Sequence, residues 1–386
     1  MTIQNRLKQT ALFSASALAL AVASASHAYD FEVGDTTASV SGYVKLDIIH
    51  DVDANMGDTV RHSAIRLDGV DGPDGHTDFH ARQSRIGFRT STPMNGSTLK
   101  TTIEGDFFGS SATGNPDLRL RHAYGSWNGI LAGQTWTNFG GFLGTTPTID
   151  FLGQVGQGNI GRQSQLRYTT GGFSVALEEP GTIGSNIDMD NRLNVNDDVK
   201  SGLPDLTLRY HAGTGDVSYG ASAVMREIEY YNSANDSDES AFGWGINLEA
   251  SAKVAEGVTI RGAITHGDGL GGYLYGSPGQ AGYIDNNGDV EGIEGTGGTF
   301  GVSMAAGSGS VNLAYGIATA DLDSGVDEGA LSTTTTDTVE SIYLNYMWSP
   351  AARISYGVEA GYHTRETHNG DEGDAVRLQG MVKYSF

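Results

Sequence analysis

Basic side chains that can grip an anion recur along this chain: Lys45, Arg85, Arg89, Lys100, Arg119, Arg121, Arg167, Arg209, Arg261, Arg353 and Arg377. A guanidinium is a planar fork of N–H donors matched to carboxylate or phosphate oxygens, so the chemistry such a set offers is recognition rather than bond making. Lys100 shares its parity with Glu104 and Asp106, and Arg119 shares its parity with Arg121 beyond the stretch Gly109 to Asp117. Facing one another on neighbouring strands, these groups would pair and orient each other. Two roles are open to them. The pairs only hold a wall, or the arginines left unpaired present donors to a passing anion.

Motifs for other chemistry fail on context. Gly156, Gly158 and Gly161 spell G-x-G-x-x-G, but no helical pattern follows and no βαβ unit surrounds them. The histidines and serines fall into no nucleophile elbow and no HExxH spacing, so no enzyme, cofactor or metal centre is expected. Asp285, Asn287, Asp289 and Glu291 alternate like the start of a calcium loop, yet Val290 stands where such a loop needs glycine. A solvated acidic loop is the expectation there.

What must position the basic residues is a set of strands. Alternation with period two recurs through the chain. Val40, Gly42, Val44, Leu46 and Ile48 share one face, and Ser41, Tyr43, Lys45 and Asp47 the other; Phe242 to Leu248 and Ile342 to Trp348 repeat the pattern. Val376, Leu378, Gly380, Val382, Tyr384 and Phe386 close the chain on an apolar face. Short turns, such as Pro93 to Ser97 and Trp127 to Gly129, alternate with long acidic, glycine-rich stretches: His50 to Asp78, Pro180 to Pro204, Glu227 to Ser240, Gly267 to Gly298 and others. The expected fold is therefore all-β: a transmembrane antiparallel β-barrel of about sixteen strands, short turns at one rim and long loops at the other. A soluble β-sandwich would need two dry inner faces, and the second face here is polar.

Composition agrees. The 386 residues hold 23 Lys+Arg against 46 Asp+Glu, no Cys and 56 Gly, with a net charge of -23. That acidity argues against a nucleic-acid partner, which requires a surplus of basic groups on the binding face. Without cysteine there is neither a disulfide framework nor a thiolate metal site. Met1 to Ala28 reads as a cleaved secretory signal, with Arg6 and Lys8 before an apolar run and Ser26-His27-Ala28 at the cut, leaving 29–386 as the barrel. The acids crowd the long stretches, so the lumen can be basic on an acidic protein. Thr137 to Gly161 stands apart: it carries Phe139, Phe142 and Phe151 and one charge, Asp150. A loop so apolar is expected to fold into the lumen as a constriction, or else to pack on a neighbouring subunit.

The segments Ser41 to Asp47, Ala81 to Phe88, Ile103 to Gly109, Leu120 to Tyr124 and Gly133 to Trp136 resemble the DcaP-like family of trimeric Gram-negative porins. The likeness is specific from Ser41 to Gly161 and architectural afterwards. It implies an outer-membrane homotrimer of sixteen-stranded barrels, an inward loop after the fifth strand, and a basic channel for small anions such as dicarboxylates. Family members carry a helical periplasmic segment before the barrel; only Tyr29 to Thr37 is available here, and no separate coiled coil is expected. Tyr384 and Phe386 are similar to the terminal signal read by the barrel assembly machinery, and outer-membrane lipid and lipopolysaccharide would surround the wall. The expectation is a passive outer-membrane diffusion channel. Its rival is a surface-interaction or structural barrel, for adhesion or phage binding, with little conductance.

Overall fold

A computed structural model describes residues 29–110, 115–181, 187–188, 198–233 and 235–386. The expected leader, 1–28, lies outside the described residues, as does most of the stretch from Pro180 to Pro204. The rest is a closed 16-strand antiparallel barrel. Its first strand, Thr36–Asp51, pairs with the last, Glu372–Ser385, from Tyr43↔Ser385 to Asp51↔Arg377. Closure leaves no strand edge for lipid to face, which matters because hydrocarbon cannot hydrogen-bond an orphan N–H or C=O.

Alternation sets the faces as the sequence requires. Along the first strand Val44, Leu46 and Ile48 are exposed outward, whereas Lys45 and Asp47 are buried in the lumen. The same outward exposure holds for Phe242, Ile246, Leu248, Leu344 and Leu378 on other strands. At one rim the hairpins are tight. Asn95-Gly96 and Asn128-Gly129 have φ of 50°, 77°, 51° and 84°, the left-handed pairs that a two-residue turn between right-twisted strands demands. Phe173, Tyr210 and Tyr219 cluster near this rim, with ring centroids 4.5 and 6.5 Å apart. Interfacial girdles favour such rings.

The structure differs from the sequence reading in three places. Glu227 to Ser240 is not a loop: Val217–Asn232 and Ser237–Ala255 stay paired up to Asn232↔Ser237. The charges that suggested a loop stand on this hairpin, where Lys200 bridges Glu229 at 3.1 Å and Asp238 at 2.5 Å. Strand pairing need not stop where the membrane does. Part of the stretch from Gly267 to Gly298 turns inward, and Tyr275 exchanges backbone bonds with the 137–161 loop, Gly156 N–H to its carbonyl at 2.8 Å and its own N–H to Gln157 O at 2.9 Å. Finally, the turn read at Ser349 to Ala351 falls later. Proline at 350 has no N–H for the ladder, the register shifts between Trp348 and Ala351, and the chain reverses at Ala352 and Arg353.

Candidate functional site

The 137–161 segment leaves the fifth barrel strand, Ile130–Trp136, and crosses inside the lumen before the sixth, Arg162–Thr170. Wall side chains hold it by its own backbone. Glu178 accepts from Thr137 Oγ1 and from Asn138 N–H, both at 2.6 Å. Glu249 accepts from Leu143 N–H at 3.0 Å, and Glu359 from the N–H groups of Ile149 and Asp150 at 2.7 and 2.8 Å. Ser341 Oγ takes Val155 N–H at 3.1 Å and Asn247 Oδ1 takes Gly158 N–H at 3.2 Å. These five acceptors are spread over four strands, so the loop follows the far wall like a collar. The wall is glycine where the loop touches it: a Cβ on Gly316 would lie 2.1 Å from Val155 O, and one on Gly156 would lie 2.1 Å from Ile317 O. Close approach of the wall, by backbone at Gly156 and by the Asn247 side chain at Gly158, therefore accounts for two of the three glycines in the G-x-G-x-x-G spacing.

The collar leaves its fastenings on one side and the arginines on the other. Asp106 Oδ1 and Oδ2 accept from Arg119 Nε at 3.0 Å and Nη2 at 2.8 Å. Arg121 donates to Glu104 Oε1 at 3.0 Å and to Asp106 Oδ2 at 2.8 Å. Arg85 and Arg89 flank Glu104 at 3.4 and 3.5 Å, and Arg89 donates to Ser41 Oγ at 2.9 Å. A β-bulge builds this group: Glu104 pairs with His122 while Gly105 pairs with Leu120, so Arg121 is the extra residue. A bulge re-aims side chains, and here Arg121 and His122 both turn inward, His122 to Thr135 Oγ1 at 3.0 Å.

Sequence reasoning missed Arg162. It pairs across strands with Trp136, and its guanidinium lies 4.9 Å from that ring, with Arg121 5.5 Å from the same ring. Among the described residues the Arg162 side chain makes no hydrogen bond and no ion pair. Its position at the end of a loop-like run hid it; the cross-strand aromatic was the available signal. Arg85, Arg89, Arg119, Arg121 and Arg162 against Glu104 and Asp106 leave this side of the lumen with a net charge of +3.

The remaining basic residues separate by what they touch. Lys45 ties Asp47 at 2.8 Å to Ile149 O at 3.1 Å, and Arg209 joins Glu249 to Gly140 O. Arg377 binds Asp51 at 2.7 and 2.9 Å, Asp150 at 3.3 Å and Gly57 O at 2.6 Å. These three are fasteners of loops to wall. Arg167 donates to Gln165 Oε1 and Trp136 O, Arg261 to Ser303 Oγ, and Lys100 is exposed towards the short-turn rim. Arg353 is not on the lumen wall at all; it sits in a turn at φ 69°, over the Tyr29 ring. Phe139 is fully buried under the collar, Phe142 meets Trp136 edge-on at 5.2 Å, and Phe151 stacks on Phe108 at 4.6 Å. Tyr384 is exposed on the outer face, and Phe386 exchanges backbone bonds with Gly42 at 3.0 and 3.2 Å.

The acidic clusters are occupied. Asp285 Oδ1 accepts from the N–H groups of Asn287 and Asp289, both at 2.8 Å. Burial pushes its carboxyl up, but these donors outweigh it and hold the group below its ordinary range. Asp58, Asp78 and His80 also converge; Arg82 takes Asp58 at 2.7 Å and His80 Nε2 lies 3.1 Å from Asp58 O.

A closed barrel with an apolar outer face, a polar lumen and an inward loop after its fifth strand is an outer-membrane channel of the porin class, and its place is the outer membrane. The chain belongs to the DcaP outer membrane protein family, which it matches over residues 3–386. Its fold is similar to the outer membrane channel DcaP of Acinetobacter baumannii, at 26% identity and a TM-score of 0.79 over 92% of this chain and 99% of that one. The anion-selective porin from Comamonas acidovorans shares the fold at 14% identity and a TM-score of 0.56, over 91% of this chain and 100% of that one. No curated protein sequence matches.

Proposed function

We propose that this channel passes small hydrophilic solutes by diffusion and favours anions, above all compact dicarboxylates that two guanidiniums can hold at once. One observation carries the reading: the +3 cluster stands beside the constriction loop, with Arg162 over the Trp136 ring and bound to no carboxylate among the described residues. In a confined lumen such charges act at close range, while the exposed acids of the outer loops are damped beyond about 10 Å at 0.1 M salt. The working unit is a homotrimer in outer-membrane lipid and lipopolysaccharide, delivered by the barrel assembly machinery, and it catalyses no reaction. A planar-bilayer recording under a salt gradient tests this. A reversal potential of anionic sign is expected; cation preference overturns the selectivity, and absence of current favours a structural or adhesive barrel.

A further inference from the structure

The first half of the first long loop folds back onto the wall. Ala54, Met56, Val60 and Ile65 form a small core with Ala375 of the last strand. Met56 N–H donates to Asp51 Oδ2 at 2.8 Å, and Val376 N–H to Asp53 Oδ2 at 2.9 Å. The loop is thus a strap laid across the lumen face of the final strands. At its middle, His62 of a short 3-10 turn donates its Nε2–H to Glu340 O, 3.0 Å away, and meets the ring of His363 edge-on, with centroids 5.6 Å apart.

His363 is the anomaly. It has no exposed surface, and among the described residues neither ring nitrogen has a hydrogen-bond partner. Buried polar groups are nearly always paired, so its neutral form is tolerated only because no charge must be housed there. Nothing that faces it welcomes a proton. From Thr336–Ala351 come the Tyr343 ring at 5.0 Å and Glu340, which meets the pair through its backbone carbonyl. From Glu372–Ser385 comes the cation Arg377, bonded to Asp51 and Asp150; Asp150 favours a proton on His62, and burial outweighs it. Arg365 is on its own strand and His62 on the strap.

We propose that acid releases this strap from the mouth of the barrel through the His62–His363 contact. Burial holds the His62 imidazole below its ordinary value of 6.5. A base depressed on docking makes docking fully favourable above the ordinary imidazole range and progressively weaker as pH falls through it. From pH 7 to pH 5 the docking constant falls up to about 25-fold for each histidine that must stay neutral when docked.

The chain has no cysteine, so one introduced thiol reports on the strap. Met56→Cys places it where no surface is exposed, and Val70→Cys gives an exposed reference on the same loop. The ratio of their thiol-labelling rates, which cancels the pH dependence of the thiol itself, should rise at least 10-fold from pH 7 to pH 5. With His62→Gln and His363→Gln together it should stay flat. A flat ratio with both histidines present, or an unchanged rise without them, overturns the proposal. Should the double variant not assemble, amide exchange of residues 54–65 in the unaltered chain, corrected for the intrinsic rate, must show the same acid-induced rise or the proposal falls. Neither readout uses ion selectivity, so its outcome is independent of the anion reading.

Discussion

Arg162 separates a selecting charge from a structural one. Arg121 is 2% exposed and bonded to two carboxylates, so Arg121→Ala would strand buried acids at a cost of ~3 to 5 kcal/mol and confuse selectivity with assembly. Arg162 has no such partner among the described residues, and Arg162→Ala removes one charge from the lumen while leaving the ties between Glu104, Asp106 and their arginines intact. An anion passing at about 7 Å, with an effective dielectric near ~40 and roughly half the field screened at 0.1 M salt, gains about 0.6 kcal/mol from one guanidinium. That is close to a threefold factor in occupancy. The same charge repels a cation by the same amount, so Arg162→Ala should lower the anion-to-cation permeability ratio about sevenfold and Arg162→Glu about fiftyfold, read from reversal potentials in a KCl gradient. At 1 M salt, where the Debye length is about 3 Å, both differences should nearly vanish. An unaltered ratio for Arg162→Glu at low salt would refute the argument and move the selecting charge elsewhere on the wall.

Three further outcomes follow from the collar and the wall. Glu359→Gln should add current sub-states, because a neutral amide replaces a carboxylate holding two loop N–H groups, each worth about 1.5 to 3 kcal/mol; single-channel traces indistinguishable from the parent would count against the collar as drawn. Gly316→Val should displace the loop or block assembly, since even a Cβ would lie 2.1 Å from Val155 O, and normal yield with unchanged conductance would contradict it. Leu344→Arg should reduce folded barrel by ~2 to 4 kcal/mol near the membrane midplane, measured as heat-modifiable mobility; Leu344 is 52% exposed on the outer face.

The barrel was legible because its signal is local and redundant. A strand with lipid on one side and polar lumen on the other must alternate, and a slip of one residue would turn every side chain the wrong way; Val44 to Ile48 and Phe242 to Leu248 kept that parity. The apolar constriction loop was legible for the same reason, since Phe139 cannot stand in water. Long-range bonding was not. Nothing local distinguishes Arg377, locked between Asp51 and Asp150, from Arg89, whose side chain is 46% exposed. Both are arginines on a polar face. Charge read as solvent likewise failed at Glu229 and Asp238, where Lys200 and continued pairing extend the hairpin.

The bulge at Arg121 shows why parity finds a wall and loses a site. Strict alternation from Arg119 would send His122 and Tyr124 outward. One extra residue, Arg121, opposite the step from Glu104 to Gly105 resets the count, so that Thr102 faces Tyr124 and Glu104 faces His122 on the inside. It also brings Arg121 into line with Trp136, and hence with Arg162 on the strand beyond. The same irregularity that breaks the period therefore assembles three basic or aromatic side chains, from three strands, into one stacked row. Glu104 and Asp106 fix the near end of that row by direct bonds, and its far end is left with a positive charge to offer. Overall acidity does not oppose this. Charges on the loops act through salt water, whereas those in the row act across the width of the lumen.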